Sequence, residues 1–580
     1  MVTRPMPSSS VIDPRPGDDE NWYREDPPLQ QLLALHVDEA TLGAAEHRLD
    51  DLGELAPADL DRWAREADRH EPTLERRSPT GERVDRVDFH PAYENLRLAA
   101  RINGVFTASW HEMGEAERAP RALTFALGYL YAQAEAGYYC PACMTDGAAF
   151  VLDRHAPEPL AERFVPRLVS RDPDEGIEGA MYLTEKEGGS DVGASTRTRA
   201  RQAEDGTWRL TGEKWFASNC TAEVAMALAR MPDGEEGTEG LGLFLVPRHL
   251  SNGSPNPGLH LERLKDKLGV QSMPTGEIVL DEAHAHLVQG AGSGFKAMAE
   301  MVNLSRLYNA VASVAVARRA LREGQRAGRQ RETFGQPLHE HALFLRDLVE
   351  LTVDVEGGLA FTLDQAEVFD RWAEGEEDAR APLRILTPCA KAMTAKLGVA
   401  AASEGCELLG GQGYIEEYVT PRLLRDAQVL PIWEGTTNIQ ALDLLRAVAR
   451  DRALPGFLAH SSARLAEAEA EGHEGLEPAI ARVREGYERI EQAGERLASV
   501  DRDTAEAMAI DLTRDAYHVH AAALLARRAA HHPDDDRARE VAHLYAARHV
   551  AEDRSLGRRA VRQALADHGT EIAYPATSHS

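Results

Sequence analysis

The spacing of hydrophobic and polar positions divides the chain into stretches of helical and of extended character. From Leu60 to about Ala156, apolar residues recur at intervals of three and four, which predicts mostly helices. From Glu178 onward, short runs of β-forming residues alternate with Gly, Asn and Asp, which predicts a β domain. The predicted strands are 207–218, 223–230, 241–246, 259–264 and 275–280.

A helical period returns at Gly292-Ser-Gly294 and predicts one long helix over 295–329. Further helices are predicted over 338–370, 380–409 and 435–451, and together the four indicate a four-helix bundle. After Pro455-Gly456 the chain is again helical in pattern to about Asp567.

These patterns predict an α+β protein, and its 580 residues leave room for several domains. The predicted domains are an N-terminal extension (1–60), an N-terminal helical domain (61–177), a β domain (178–288), a four-helix bundle (289–452) and a helical C-terminal appendage (453–580).

The charge narrows the range of functions. With 95 acidic and 65 basic residues the net charge is −30, which argues against a broad affinity for nucleic acid or anionic lipid. The acidic excess suits a protein that stays dissolved at high salt, so halophilic adaptation is a hypothesis. Because neither a membrane-spanning run of about 18 apolar residues nor a signal or transit peptide is recognisable, we expect a cytoplasmic protein.

The cysteines do not indicate a disulfide framework, since there are five of them in a long chain. Cys140-Pro-Ala-Cys143 spells a CxxC motif within an apolar run, but no second CxxC completes a zinc site. We interpret these two residues as a buried structural pair, with a redox motif as the alternative.

Two motifs of the β domain are candidates for ligand binding. Met181–Val192 contains a pair of glycines among hydroxyl residues, and the backbone N–H groups of such a loop can face a ligand. An ordinary polar loop explains this pattern as well. Gly212–Asn219 places two aromatic residues near the hydroxyl of Ser218, which suits the covering of a flat ring, with a core strand as the alternative.

Three motifs of the helical region are further candidates. Arg331 follows the long helix, where an arginine can either complement the helix dipole or bind a diphosphate. Gly410-Gly411 permits close approach of the backbone to a ligand, or simply ends a helix. Glu434 lies beside Trp433 just before a helix; apolar surroundings raise a carboxylate's pKa and suit it to proton abstraction, whereas helix capping is the alternative.

Taken in this order, the motifs resemble the acyl-CoA dehydrogenase family over most of the chain. Segments 264–269, 275–277, 294–296 and 423–427 are similar to that family too, as is the gap of 23 residues from Gly411 to Glu434. Glu82–Pro91, Glu135–Pro141 and the helical appendage resemble the AidB-like branch of the family.

The resemblance implies an FAD-dependent enzyme and assigns roles to individual residues. Leu183 and Thr184 would hold the polar edge of the isoalloxazine ring, and Ser190 would contact the cofactor or the CoA arm. Phe216 and Ser218 stand where most members have Trp against the ring and Thr at its N5 atom. The remaining residues assigned to the cofactor, most of them to FAD of a neighbouring subunit, are Arg331, Phe334, Gly410, Gly411 and Asn438.

Glu434 matches the family's catalytic base. Some relatives carry their base on the long helix, but the matching residue here is Ser305, which cannot take that role. The implied reaction is α,β-dehydrogenation of an acyl-CoA, with Glu434 abstracting the α-proton and a hydride passing from the β-carbon to flavin N5. The implied partners are an acyl-CoA substrate, three further copies in a homotetramer, and an electron-transfer flavoprotein.

Three alternatives stay open. The AidB-like branch has been linked to protection of DNA from alkylation, but residues 451–580 contain 17 Arg, no Lys and 23 acidic residues, which disfavours DNA binding. An acyl-CoA oxidase that uses O₂ would keep the same fold and base. A flavoprotein scaffold without activity is the third alternative, and the presence of Glu434 argues against it.

Overall fold

The computed structural model of the protein describes residues 12–13, 15–17, 20–204, 206–472, 475–552 and 554–576, with the side chains of 554–558 excluded. In chain order the helices are α1 (Pro27–His36), α2 (Glu39–Leu55), α3 (Asp61–Arg69), α4 (Pro91–Ile102), α5 (Arg121–Ala134), α6 (Tyr139–His155), α7 (Glu158–Val169), α8 (Val192–Ser195), α9 (Gly294–Gln330), α10 (Ala342–Ala373), α11 (Glu377–Leu408), α12 (Thr420–Ala427), α13 (Thr437–Ala449), α14 (Leu454–Ala470), α15 (Glu477–Ser499), α16 (Arg502–His531), α17 (Asp536–Tyr545), α18 (Arg554–Asp567) and α19 (Gly569–Ala573). The strands are β1 (Thr73–Arg77), β2 (Arg83–Asp88), β3 (Gly179–Tyr182), β4 (Arg199–Gln202), β5 (Trp208–Ser218), β6 (Val224–Arg230), β7 (Leu241–Pro247), β8 (Leu259–Leu264), β9 (Thr275–Gln289), β10 (Glu332–Thr333) and β11 (Gln336–Pro337).

The chain forms two compact units. The mixed unit comprises residues 59–119 and 123–308 and therefore holds β1–β9 with helices α3 to α8, apart from the first two residues of α5. The helical unit comprises the described residues up to Ala58, residues 120–122 and those from Asn309 onward. The boundary falls inside α9, so one continuous helix contributes its first turns to one unit and the rest to the other. The domain boundaries inferred from the sequence stay predictions.

The core of the mixed unit is a seven-stranded sheet. Strand β6 pairs with β7 and β7 with β9, β9 pairs with β5, and β5 with β4. One residue pair, Arg199 with Arg230, joins β4 back to β6, so these five strands close into a ring. Strands β3 and β8 are added at β6 and β9. Strands β6 and β7 are buried almost throughout, as their continuous apolar sequences predict.

Two features of the mixed unit correct the sequence interpretation. Residues 73–88, predicted to be mostly helical, form the antiparallel hairpin β1–β2. Strand β9 also runs nine residues beyond its predicted end, to Gln289. It passes the polar pair Asp281-Glu282 through a β-bulge, at which Glu282 adopts a left-handed φ of 55°. A bulge shifts the alternation of side chains, and this hides the continuity of the strand in the sequence.

In the helical unit, the part of α9 from Asn309 packs against α10 and α11, and α11 also packs against α13. Small residues allow close approach: a Cβ added at Gly398 of α11 would lie 3.0 Å from the Ser313 carbonyl oxygen of α9. A Cβ at Gly405, two turns further on, would lie 3.0 Å from the Ala320 side chain. Repetition of a small residue at this spacing lets α9 and α11 run against each other over several turns.

The appendage, helices α14–α19, packs on α10 and α11 within the same unit. Helix α10 presents a row of acidic side chains, the half-buried Asp354 and the buried Glu356 and Asp364, to basic side chains of the appendage. The pairs are Asp354 with His549 (2.6 Å), Glu356 with Arg528 (2.7 Å), and Asp364 with Arg464 (2.7 Å), His460 (2.8 Å) and His520 (2.9 Å). Charge complementarity therefore accompanies apolar packing along this contact.

Among the described residues, no helix combines the length and the hydropathy that crossing a lipid bilayer requires.

Candidate active site

The segment after β3 is fixed to the sheet by both backbone and side chain. The backbone N–H of Trp215 on β5 donates to the Thr184 carbonyl oxygen at 2.9 Å. The next residue, Glu185, points inward and accepts hydrogen bonds from Lys214 Nζ at 2.7 Å and Thr198 Oγ1 at 2.6 Å. Burial opposes ionisation of Glu185, but the Lys214 ammonium outweighs it and lowers the pKa of this carboxyl. Leu183 and Thr184 thus lie at a rigid, half-buried edge.

The glycine pair allows the following loop to fold back over this edge. A Cβ at Gly189 would lie 2.7 Å from Thr184 Oγ1, and Gly188 has a φ of 150°. Ser190 follows in an exposed position. The sequence prediction of a ligand-facing loop is consistent with this geometry, because the loop brings its backbone close to Thr184 while Ser190 remains accessible.

A β-bulge on β5 turns two neighbouring aromatic residues outward. The pairing with β9 shifts between Lys214 and Ala217, both of which are buried, and the two residues between them face away from the core. Phe216 is 54% exposed, and Lys265 Nζ lies 3.3 Å from the centroid of the Trp215 ring. The Ser218 hydroxyl lies 3.2 Å from Thr275 Oγ1. β-Bulges commonly re-aim side chains beside active sites.

In the helical unit, Arg331 and the Gly410-Gly411 loop lie together. Arg331 Nη1 donates to the Leu409 carbonyl oxygen at 3.4 Å, and a Cβ at Gly410 would lie 3.3 Å from the same nitrogen. Gly410 has a φ of 64°, and nothing lies within 4 Å of a Cβ built at Gly411. The backbone at Gly411 is therefore accessible and lies close to the guanidinium of Arg331.

Phe334 stands at the tip of the β10–β11 hairpin, and its side chain is 100% exposed. Tyr414, close to the glycine loop in sequence, is 87% exposed, and Ile415 is 46% exposed. Large apolar side chains at full exposure usually mark a surface that another group covers.

Glu434 lies on a left-handed turn that precedes α13. Its φ is 55°, and that of Gly435 is 94°. Thr436 occupies the N-cap position of α13, so Glu434 stands two residues before the cap rather than at it. Glu434 is half-buried, and Asn438 is exposed on the first turn of α13. The neighbouring Trp433 has a buried indole N–H that meets no acceptor within the described part of the chain.

Two residues near Glu434 were not found from the sequence. Lys391 Nζ on α11 donates to the Gly435 carbonyl oxygen at 2.6 Å, and Gln440 Nε2 on α13 donates to the Glu434 carbonyl oxygen at 2.9 Å. The available signal was a lysine in the apolar segment 385–395 of a chain that has only seven lysines.

The two cysteines of the CxxC motif lie at the start of α6. Cys140 is half-buried and Cys143 is buried, and no disulfide joins any of the five cysteines, all of which lie among the described residues.

Comparison with known proteins supports the sequence interpretation. Residues 13–175 match the adaptive response protein AidB N-terminal domain, 180–283 the acyl-CoA dehydrogenase middle domain, and 292–449 the acyl-CoA dehydrogenase C-terminal domain. Acyl-CoA dehydrogenase family member 11 of Caenorhabditis elegans is 35% identical over 435 residues, which are 73% of this chain and 70% of the relative. The chain belongs to the acyl-CoA dehydrogenase family. The putative acyl-CoA dehydrogenase AidB of Escherichia coli is also 35% identical, over 70% of this chain and 75% of that protein.

Solved structures of the acyl-CoA dehydrogenase family share the fold. C. elegans ACDH-11, in complex with C11-CoA, has a TM-score of 0.87 at 28% identity and covers 99% of this chain and 98% of its own. A Bacillus anthracis acyl-CoA dehydrogenase complexed with FAD has a TM-score of 0.72 at 17% identity, and the match covers 94% of this chain and 91% of the B. anthracis chain. The family and fold predicted from the sequence are confirmed. The protein is an oxidoreductase of the acyl-CoA dehydrogenase type, in a family whose members bind FAD.

Proposed function

We propose that the protein catalyses FAD-dependent α,β-dehydrogenation of an acyl-CoA thioester, with Glu434 as the base that removes the α-proton. The observation that carries the proposal is the turn at Glu434: a glutamate with a φ of 55° between an exposed Ile432 and a helix N-terminus. A left-handed conformation is unfavourable for a residue with a side chain, and such strain concentrates at functional sites. The complex of ACDH-11 with C11-CoA supports an acyl-CoA as the substrate class.

The residues of each unit fit the chemistry of FAD. In the mixed unit, the exposed Phe216 offers an apolar face for a flat ring, with the Ser218 hydroxyl two residues further along the strand. Leu183, Thr184 and Ser190 supply backbone and hydroxyl groups for its polar edge. In the helical unit, Arg331 and the open Gly410-Gly411 backbone suit a diphosphate, since a guanidinium and free backbone space permit close approach of an anion.

Glu434 performs the acid–base part of the reaction. Its carboxylate takes the α-proton, and hydrogen bonds to the thioester carbonyl, one from the Glu434 backbone N–H, would stabilise the negative charge that develops there. When bound, FAD supplies the oxidant that accepts a hydride from the β-carbon at N5. Exclusion of water strengthens these electrostatic interactions, and the half-buried position of Glu434 favours the exclusion of water from its carboxylate.

We further propose a homotetramer in which Phe334 and the Gly410-Gly411 loop contact FAD of a neighbouring subunit. The support is the exposure of Phe334, Tyr414 and Ile415, three large apolar side chains that would be covered in an assembly. An electron-transfer flavoprotein is the proposed acceptor of the electrons, and production of H₂O₂ during turnover would instead indicate an oxidase.

A DNA-binding role receives no support from the appendage. Its arginines Arg464, Arg528 and Arg548 are engaged in ion pairs with acidic residues of α10. An arginine that neutralises a buried carboxylate is not available for a phosphate.

The test is turnover of a panel of acyl-CoAs by the purified full-length protein at high salt, with an artificial electron acceptor, followed by the flavin absorbance. Glu434→Gln preserves the shape and removes the base, so we expect a loss of roughly 10²–10⁴-fold in kcat. Glu377→Gln, an exposed residue at the start of α11, is the matched control and should turn over like the wild type. The proposal would be contradicted if an acyl-CoA bleached the flavin of the Glu434→Gln variant as fully as that of the wild type. It would also be contradicted if the protein contained flavin that no acyl-CoA reduced.

A further inference from the structure

The backbone that carries Glu434 is held by two buried side chains from different helices. Lys391 Nζ donates to the Gly435 carbonyl oxygen at 2.6 Å, and Lys391 itself is fully buried on α11. Gln440 Nε2, buried on α13, donates to the carbonyl oxygens of Glu434 at 2.9 Å and Gly435 at 3.2 Å. Both peptide groups on the C-terminal side of Glu434 are therefore fixed by side chains.

This turn needs such support. A left-handed φ is unfavourable for a residue other than glycine, and it persists only where the surroundings determine it. Glu434 and Gly435 are consecutive left-handed residues, with φ values of 55° and 94°. Loss of the bonds to their carbonyl oxygens would let the turn relax, and the Glu434 carboxylate would move with it.

The choice of a lysine is informative. Burying an ammonium group costs several kcal/mol unless hydrogen bonds satisfy it, so a position that only fills space would favour an apolar residue. The chain has 65 basic residues, of which only seven are lysine. A lysine brings a compact ammonium group to the turn, whereas the planar fork of an arginine would bring more N–H groups into the interior.

We propose that Lys391 is a positioning residue for the reaction: its bond to the Gly435 carbonyl oxygen holds the turn that aims the Glu434 carboxylate at the substrate α-carbon. This rests on the proposed function of Glu434. Gln440 supports the same turn from α13. Neither residue takes part in the proton transfer; they fix the backbone from which the base reaches its substrate.

The test compares variants of the FAD-loaded full-length enzyme. Lys391→Met keeps the length of the side chain and removes the donor, and Lys396→Met makes the same change at an exposed position of the same helix. We expect Lys391→Met to lower kcat by about 10–100-fold, because a misplacement of about 1 Å can reduce catalysis by that amount. KM, FAD content and melting temperature should stay near those of Lys396→Met, and Lys391→Arg should recover part of kcat.

A second measurement isolates the proton transfer. Exchange of the acyl-CoA α-proton with D₂O, followed by NMR, should slow in Lys391→Met to the same extent as kcat. A structural role would instead lower FAD content and melting temperature without a specific loss of exchange. Should Lys391→Met fail to fold, Gln440→Met decides: it removes the 2.9 Å bond to the Glu434 carbonyl oxygen and should lower kcat at unchanged KM.

The outcomes separate this inference from the proposed function. If Glu434→Gln is inactive while Lys391→Met and Gln440→Met turn over and exchange like Lys396→Met, the positioning role is wrong and the base assignment stands. If Glu434→Gln keeps full activity and exchange, the base assignment is wrong and the positioning role falls with it.

Discussion

Replacing Glu356 by glutamine is expected to loosen the contact between α10 and the appendage. Glu356 is buried on α10, with Oε2 at 2.7 Å from Arg528 Nη2 and Oε1 bonded to Arg537. Glutamine has nearly the same shape but no charge, so both guanidinium groups would lose their counter-charge. Arg528 is itself fully buried and cannot turn to solvent for compensation.

The size of the effect follows from the shift in pKa. Burial on its own raises the pKa of Glu356, but the charges of Arg537 and Arg528 outweigh it and lower the pKa from 4.5 to about 2. A shift of this size corresponds to about 3 kcal/mol in favour of the charged form. Removal of one partner from a buried ion pair typically destabilises by about 3–5 kcal/mol, which agrees with that figure.

Hydrogen–deuterium exchange of the native protein measures the loss of stability in Glu356→Gln helix by helix. Because the chain has two compact units, a single global unfolding energy is poorly defined, whereas exchange reports the opening of individual helices. About 3 kcal/mol corresponds to a roughly 100-fold loss of protection, expected in peptides from α10, α16 and α17. Peptides from the mixed unit should be unaffected.

The control is Glu506→Gln on α16, whose partner Arg502 lies at 2.7 Å with its side chain 87% exposed. An exposed pair of this kind contributes little because solvent screens it, so protection should hardly change. If Glu356→Gln and Glu506→Gln gave the same protection in α16 and α17, the buried pair would not be what secures the appendage.

Three further predictions follow from the same contacts and charges. Asp354 and Glu356 both have pKa values lowered to about 2 in the folded protein. The stability that these two carboxylates contribute is therefore complete above their unfolded pKa values of 3.8 and 4.5 and is lost as the pH falls toward 2. Circular dichroism should show the helices melting in that pH window, and unchanged helicity at pH 2 would contradict the prediction. Gly435→Ala would place a Cβ 2.8 Å from Gln440 Nε2, at a residue whose φ is 94°. The substitution should lower both kcat and the melting temperature, with about 1–2 kcal/mol lost to backbone strain. A wild-type kcat would show that the turn tolerates a side chain. The protein has a net charge of −30, so its transfer from about 1 M to about 0.01 M salt should lower its melting temperature, because the screening length grows from about 3 to about 30 Å. An equal melting temperature in both buffers would contradict the halophilic hypothesis.

The sequence by itself determined the family and the helices and strands with strong periodicity. The predicted strands at 207–218, 223–230, 241–246 and 259–264 match β5–β8 within one residue at each end, and the helix predicted over 295–329 matches α9 as closely. In these segments apolar residues recur at the period of the element, and local spacing is a property of the sequence alone. The candidate cofactor and base residues came from the order of motifs and stay predictions.

The tertiary structure decided what local spacing cannot encode. The hairpin β1–β2 contains mainly charged residues, and contacts remote in sequence hold it, such as Arg83 with Glu262 at 2.6 Å on β8. The left-handed turn at Glu434 likewise depends on Lys391, which lies 44 positions away from the carbonyl oxygen it binds. Both are polar contacts in which the partner, not the residue itself, makes the conformation favourable. Such partners come together only when helices and strands pack.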